Sequence, residues 1–359
     1  MVKTLRILAN TGNSRILIGE TLGNVLEYIP PGEAVIVTDT NVSNLYKNQF
    51  PPCEVIEIET GEGIKTLDTV RDIYGRLVEM EVDRSSFIIG IGGGIVCDIT
   101  GFAASTFLRG LEFGFVSTTL LSQVDASVGG KNGVNFDGYK NMVGVFNQPQ
   151  FVLCDLDLLK TLPEREILCG LGEVAKHAFL GDARLFTYLE EHHEQAVALD
   201  PEVIERLVYD SVVLKADIVN RDEKEKGERR KLNFGHTFGH ALEIQTDFNH
   251  GEAVSVGMMI AGFLSAGKGY LGMKDVERIG RLLGNLHLPT RPPVEPEGIL
   301  RALRKDKKRK GNNIHFVLLR EIGNFVLLRE IGTAVVEEIS LDELEVELNA
   351  FYAWDRSRH

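Results

Sequence analysis

Between Phe87 and Phe102 the chain reads FIIGIGGGIVCDITGF. The apolar run at its start has the β-branched character of a buried strand, the glycines mark a tight turn, and the residues from Ile95 onward favour a helix. A strand running into a helix through glycine is the repeating step of a parallel α/β sheet. Glycines at such a turn carry no Cβ, so their amides can approach a pyrophosphate at the helix N-terminus. The spacing departs from GxGxxG, because Ile95 takes the third place after Gly90 and Gly92. On its own the stretch reads equally well as a plain structural turn.

Working outward, short β-rich runs at Ala34–Thr38, Val55–Ile58, Phe113–Ser117 and Phe151–Asp155 alternate with turn signals and amphipathic segments, the rhythm of a mostly parallel sheet. Asp39 follows the strand VIVT, and Thr118 and Thr119 follow FGFVS. Open α/β sheets bind ligands at that carboxyl edge, where a carboxylate can hold ribose hydroxyls. Beyond Pro163 the texture changes to longer helical patterns, at Leu185–Glu194, Val203–Val219, Gly235–Gln245 and Glu252–Leu271. The length of 359 residues exceeds one ordinary domain. We therefore expect an α/β domain over 1–160 and a mainly helical domain over 161–359, bordered by Thr161–Pro163.

The net charge of −13, from 52 acidic against 39 basic side chains, opposes the basic footprint that nucleic acid requires. Cys53, Cys97, Cys154 and Cys169 are scattered without a CxxC pair and read as reduced, packed thiols. The amino terminus lacks the apolar core of a secretion signal, and Val254–Ala266 is too short to cross a bilayer. The expectation is a soluble, cytoplasmic protein with neither a membrane nor a nucleic-acid partner. The octapeptide FVLLREIG occurs twice, at Phe316–Gly323 and Phe325–Gly332. A unit this short cannot bury a face as solenoid repeats do, so it is a local duplication whose copies either pair as a hairpin or leave one as an extra loop.

In LNFGHTFGHALE, Leu232–Glu243, His236 and His240 stand four apart, on one helix face. Either is a candidate metal ligand, and a pair of structural histidines fits the spacing as well. His250 in NHGEAVSVGM and Glu173 in GLGEVAKH supply what a catalytic zinc set needs, two imidazoles and a carboxylate with one position open. His192 and His193, within LEEHHEQ, belong instead to a solvated helix face. Lys131, Lys140, Lys176, Lys215 and Arg229 lie beside glycine, asparagine or these presumed ligands, and a local cationic group can hold an anionic small molecule in an acidic chain. KDKKRKG, Lys305–Gly311, reads as an exposed turn.

These segments, together with STTLLSQVDASVGGKNGVN and YKNMVGVFNQP, resemble in order and spacing the 3-dehydroquinate synthases, over nearly the whole chain. The resemblance implies a homodimer with an active site between a Rossmann-like NAD-binding α/β domain and a mainly helical metal-binding domain. It implies zinc, or cobalt, on Glu173, His236 and His250, with His240 facing substrate. The substrate pocket would comprise Asp125, Lys131, Asn141, Lys176, Lys215, Arg229, Asn233 and Lys307 or Lys308, with Arg109 lent across the dimer to the phosphate. Asp39, Asn41, Glu62, Lys65, Gly93, Gly94, Asp98, Thr118, Thr119, Lys131, Lys140 and Thr161 would surround NAD. Two departures stand near the cofactor positions: Ser117 replaces a usual proline, and Cys97 replaces a frequent glycine.

The chemistry implied is conversion of 3-deoxy-D-arabino-heptulosonate 7-phosphate, a sugar acid phosphate, to 3-dehydroquinate and phosphate, a step of the shikimate pathway to aromatic amino acids. Oxidation of a ring hydroxyl acidifies the neighbouring proton, phosphate leaves by β-elimination and itself takes that proton, the ketone is reduced again, and ring opening precedes an internal aldol closure. NAD returns to its starting state. Alternatives are another sugar phosphate cyclase, a metal-dependent alcohol dehydrogenase that would leave NADH behind, and an inactive NAD-binding scaffold.

Overall fold

The computed structural model describes residues 1–181, 183–304, 313–322 and 334–358. They form two compact units, Met1–Ile167 with Ile204–Lys224, and Leu168–Val203 with Glu225–His359.

The first unit is built on a seven-stranded sheet. Its strands are β1 (Lys3–Ala9), β2 (Gly12–Ile18), β3 (Ala34–Asp39), β4 (Glu54–Ile58), β5 (Phe87–Gly92), β6 (Glu112–Ser117) and, after a separate hairpin of β7 (Lys131–Phe136) and β8 (Tyr139–Phe146), β9 (Phe151–Cys154). The order across the sheet is β1-β2-β9-β6-β5-β3-β4. Only the β1–β2 pair is antiparallel; from β2 to β4 every neighbour is parallel. Helices α1 (Thr40–Tyr46), α2 (Leu67–Glu79) and α3 (Gly94–Thr106) follow β3, β4 and β5. From β3 the chain steps to β4 on one side and then back past β3 to β5 on the other. The strand order therefore reverses between β3 and β5, the crevice where doubly wound sheets take ligands.

The parallel strands are apolar because both their faces are covered. All six residues of β5 are buried, and Ile36, Ile89, Ile91, Val116, Leu153 and Phe151 share one core. The Phe87 and Phe151 rings stack with centroids 5.9 Å apart, and a Cβ on Gly114 would lie 2.5 Å from the Phe151 ring, so glycine there makes room for the aromatic. The edge hairpin β1–β2 was not among the strands legible from pattern: β1 is only partly buried and mixes basic, polar and apolar residues without strict alternation, and only the last three residues of β2 form an apolar run.

The second unit is largely helical. It holds most of α4 (Glu164–Leu180), then α5 (Ala183–Glu191), α6 (His193–Val197), α8 (His236–Glu243), α9 (His250–Gly267), α10 (Met273–Asn285), α11 (Pro296–Leu303) and α12 (Leu341–Arg356), with a two-stranded sheet of β10 (Asn313–Leu319) and β11 (Ala334–Ser340). The long α7 (Pro201–Arg221) contributes its residues from Ile204 onward to the first unit. Helix α9 is the hub, buried nearly all round as its sequence HGEAVSVGMMIAGFLSAG requires. The pattern Leu185–Glu194 suggests one helix, but it breaks at His192, whose Nδ1 bonds the Tyr188 carbonyl at 2.9 Å while its ring stacks on Tyr188.

The first FVLLREIG copy supplies β10, and its partner is β11, with Phe316 opposite Glu337 and Leu319 opposite Ala334. The second copy lies outside the described residues, as does the Lys305–Gly311 run with Lys307 and Lys308. No helix among the described residues is long and apolar enough to cross a membrane.

Candidate active site

Three helices of the second unit converge because glycines let their backbones touch. A Cβ on Gly257 would lie 2.0 Å from the Gly235 carbonyl oxygen, and one on Gly239 would lie 3.1 Å from the Val254 side chain, so α8 lies close on α9. Gly235 also has φ +79°, a left-handed turn into α8 that suits glycine. Gly251 sits against Cys169, where its Cβ would meet the carbonyl oxygen at 2.4 Å, and against Gly172 of α4. Each contact places one presumed ligand: His236 opens α8, His250 opens α9, and Glu173 follows Gly172. Asn249 caps α9 in a reciprocal pair with Glu252, fixing the turn that carries His250.

The result is a buried cluster. Glu173, His236 and His250 each offer a ligand atom within 4.8 Å of the others. Glu173 Oε1 lies 3.3 Å from His250 Nε2 and 3.5 Å from His236 Nε2. His236 Nδ1 faces the Phe234 carbonyl at 3.3 Å, and His250 Nδ1 faces Glu243 at 3.1 Å, leaving each Nε2 toward Glu173. Lys176 pairs with Glu173, both wholly buried. Burial pushes the His236 imidazole well below its ordinary pKa, with the Lys176 charge adding to this. At His250 burial acts in the same direction, but hydrogen bonds to Glu173 and Glu243 win and raise it to about 9. The donor set, two imidazoles and one carboxylate, suits a divalent ion with a position left open. The His240 ring lies 5.6 Å from that of His236 and 6.4 Å from that of His250, beside the cluster. Arg229 is buried, and Asn233 donates to Glu225, an acid that motif reading did not single out.

In the first unit, the expected dinucleotide positions gather on the carboxyl edge of the sheet. Gly93 caps α3; a Cβ on it would lie 3.0 Å from Thr119, and one on Gly94 would lie 2.8 Å from Ala126. The Thr118 amide donates to the Gly92 carbonyl, tying β6 to the turn. Asp39 ends β3 and accepts the Val42 amide of α1; burial raises its carboxyl against the pull of the Val42 and Asn41 amides. Asn41 is exposed on the same helix, and Thr161 bonds Tyr46 at 2.5 Å.

Lys65 is buried, pairs with Asp98 on α3 and donates to Asn141 at 2.6 Å. Burial raises the Asp98 carboxyl, opposed by the Lys65 charge. Glu62 joins through Asn135, whose side-chain amide donates to it at 2.7 Å while its Oδ1 accepts the Asn141 amide. Asn135 is a further residue absent from the motif reading. Cofactor and substrate candidates of the resemblance, Lys65 and Asn141, are thus direct partners. Lys131 and Lys140 are exposed on the β7–β8 hairpin, and Lys215 pairs with Asp125 at 2.6 Å. Arg109 is exposed in the loop after α3 with φ 72°. The two departures from the family pattern meet: Cys97 contacts Ser122, whose hydroxyl bonds Ser117, which bonds Ser127 in turn. A buried hydroxyl chain occupies the place beneath the glycine turn.

Known proteins resemble this chain in sequence and fold. The family model of the 3-dehydroquinate synthase N-terminal region matches residues 55–169, and that of the C-terminal region matches residues 170–309. A 3-dehydroquinate synthase of Halorhodospira halophila is 44% identical over 84% of this chain and 88% of its own. A solved 2-deoxy-scyllo-inosose synthase complexed with carbaglucose-6-phosphate, NAD+ and Co2+ superposes with TM-score 0.84 at 25% identity, covering 96% of this chain and 99% of that one. The 2-epi-5-epi-valiolone synthase of Streptomyces hygroscopicus, with NAD+ and Zn2+ bound, does so with TM-score 0.83 at 27% identity, covering 98% and 99%. The chain belongs to the 3-dehydroquinate synthase family.

Proposed function

We propose that this chain converts 3-deoxy-D-arabino-heptulosonate 7-phosphate to 3-dehydroquinate and phosphate, using NAD and a divalent metal, zinc or cobalt. The observation that carries the reading is the buried convergence of Glu173, His236 and His250 within 4.8 Å, with Lys176 alongside. Bound there, the two groups would supply transient hydride acceptance and polarisation of the reacting hydroxyls.

This chain's own residues do the rest. Glu173, His236 and His250 hold the metal, and His240, beside them, orients the substrate hydroxyls. Lys176 and Arg229 are buried cations, and with little water around them their attraction for a carboxylate or phosphate is strengthened. Asn233, held by Glu225, presents its amide to the substrate. On the first unit, Gly93 and Gly94 leave room for the pyrophosphate, Asp39 and Asn41 take ribose hydroxyls, and Glu62, Thr118, Thr119, Lys140 and Thr161 line the dinucleotide. Asp98 holds Lys65, which in turn positions Asn141. Lys131, Asp125 and Lys215 contribute polar contacts to the sugar acid. Lys307 or Lys308 completes the set from outside the described residues.

We assign the active form as a homodimer in the cytoplasm. Leu108 and Arg109 both hold left-handed backbone conformations, with φ 49° and 72°, on an exposed loop. Such strain at an exposed charge suits a residue held out for a partner copy's phosphate site. We keep the domain bounds of 1–160 and 161–359 as a proposal; one compact unit is α/β and the other largely helical, but Ile204–Lys224 groups with the α/β unit, so limited proteolysis around α7 tests the border.

Purified protein incubated with the heptulosonate phosphate, NAD and zinc should release phosphate stoichiometrically without accumulating NADH. Accumulated NADH would indicate a dehydrogenase, and absence of phosphate release would remove the assignment. Release from glucose 6-phosphate instead would place the chain with the other cyclases, which match it at 25–27% identity against 44% for the 3-dehydroquinate synthase of Halorhodospira halophila.

A further inference from the structure

Glu243 closes α8, seven residues after His236 and three after His240, so all three share one face of that helix. Its side chain is 5% exposed, and its Oε1 lies 3.1 Å from His250 Nδ1. The other ring nitrogen of His250 lies 3.3 Å from Glu173 Oε1. One imidazole is thus gripped from both sides by carboxylates of different helices. Glu243 is outside the set whose ligand atoms lie within 4.8 Å of one another, and it faces the nitrogen that points away from Glu173. Its chemistry is therefore exerted through His250.

Resting on the reading that Glu173, His236 and His250 hold the metal, we propose that Glu243 is the positioning residue of that centre. It accepts the Nδ1–H of His250, which fixes the tautomer that leaves the Nε2 lone pair for the metal, and it sets the plane of the ring. A carboxylate behind an imidazole also makes it a stronger donor than a neutral acceptor does. Among the described residues, His236 has the neutral Phe234 carbonyl in the equivalent place, at 3.3 Å. The two histidines are consequently unequal, and His250 is the ligand whose strength this chain adjusts through a side chain.

The test uses the full-length protein, stripped with a chelator and titrated with Co2+ while its visible ligand-field absorption is followed. Glu243→Gln keeps the shape and an acceptor oxygen but removes the charge. It should weaken cobalt binding by roughly 10- to 100-fold and shift the absorption band, both read at a temperature where circular dichroism shows the stripped variant folded. Glu190→Gln, a matched loss of charge at the Glu190–Arg278 pair on other helices, should leave cobalt affinity and spectrum unchanged. Cobalt affinity and spectrum identical to wild type in Glu243→Gln would overturn the proposal. So would 15N NMR of the wild-type histidines showing His250 metallated through Nδ1, a measurement that needs no variant to fold. If the wild type itself bound no cobalt, the metal reading would fall first; wild-type binding with an indifferent Glu243→Gln would sink this inference alone.

Discussion

The glycine turn after β5 and the histidine cluster on α8 and α9 are both built by removing side chains, but they draw on different distances along the chain. At the turn, a Cβ on Gly92 would strike Val96, four residues on, at 2.5 Å. At the cluster, a Cβ on Gly251 would strike the Cys169 carbonyl, 82 residues away, at 2.4 Å. Local steric relations can be read from a window of sequence, whereas distant ones exist only once the helices pack. The course of the turn is therefore set largely within one segment, although Gly93 and Gly94 also face Thr119 and Ala126, whereas the cluster exists only in the assembled unit.

The sharpest way to break this contrast is at the ligands. Glu173→Ala or His250→Ala should abolish metal retention, measured by elemental analysis, and lower turnover by about a thousandfold or more, since the metal's charge stabilisation amounts to several kcal/mol. A variant that keeps its metal and its rate would show that the cluster is only structural. Lys176→Ala should come next, lowering kcat by roughly a hundredfold while its metal content stays near wild type. Retained activity there would remove Lys176 from the chemistry.

Backbone packing gives the next, smaller effect. Gly251→Ala drives a methyl into a backbone carbonyl that cannot turn aside, and should cost about 1–3 kcal/mol and weaken metal binding through displaced His250. Gly262→Ala, on the same helix, places its methyl 3.5 Å from Ile279, ordinary contact, and should be neutral or stabilising by up to about 1 kcal/mol from helix propensity. Equal metal affinities in the two variants, read by cobalt titration, would mean that glycine packing does not assemble the site.

The same contrast explains what sequence reading could reach. Five of the six parallel strands, β3, β4, β5, β6 and β9, announce themselves as β-rich runs, and Asp39, Thr118 and Thr119 follow directly from where β3 and β6 stop. Spacing also puts His236 and His240 on one helix face, but it cannot choose between them. The structure turns His236 toward Glu173 and sets His240 to one side. Glu243 stood in plain view at the same helical spacing, yet its partner lies across a second helix. The bond of Asn135 to Glu62 and the contact of Cys97 with Ser122 likewise depend on neighbours no local window contains. In the β1–β2 hairpin, β1 escaped because a half-exposed edge strand has no reason to be apolar, and β2 because its buried run is only three residues long.

That edge hairpin supplies the finest test, since it is the part of the first unit that depends on distant sequence. Glu223, just past α7, accepts the Asn10 amide at 3.1 Å and the Thr11 amide at 3.3 Å, takes the Thr11 hydroxyl, and meets Gln148 at 3.2 Å. Burial would raise its carboxyl, but the hydrogen bonds from Thr11, Gln148 and Asn10 outweigh it and hold the group below its ordinary value. A depressed folded pKa means stability that is complete above the unfolded value, near 4.3, and is lost as pH falls through the folded one. Glu223→Gln should accordingly unfold at lower urea than wild type at pH 7, by about 1 kcal/mol after allowance for solvent around the turn. The gap should narrow steadily below pH 4.5, because a protonated Glu223 and a glutamine offer the turn the same neutral group. A gap that stayed constant across that range would show that shape, not charge, joins residue 223 to the turn at 10–11. The hairpin would then rest on its own strand pairing, and the division between locally and distantly encoded parts would fall elsewhere in the first unit.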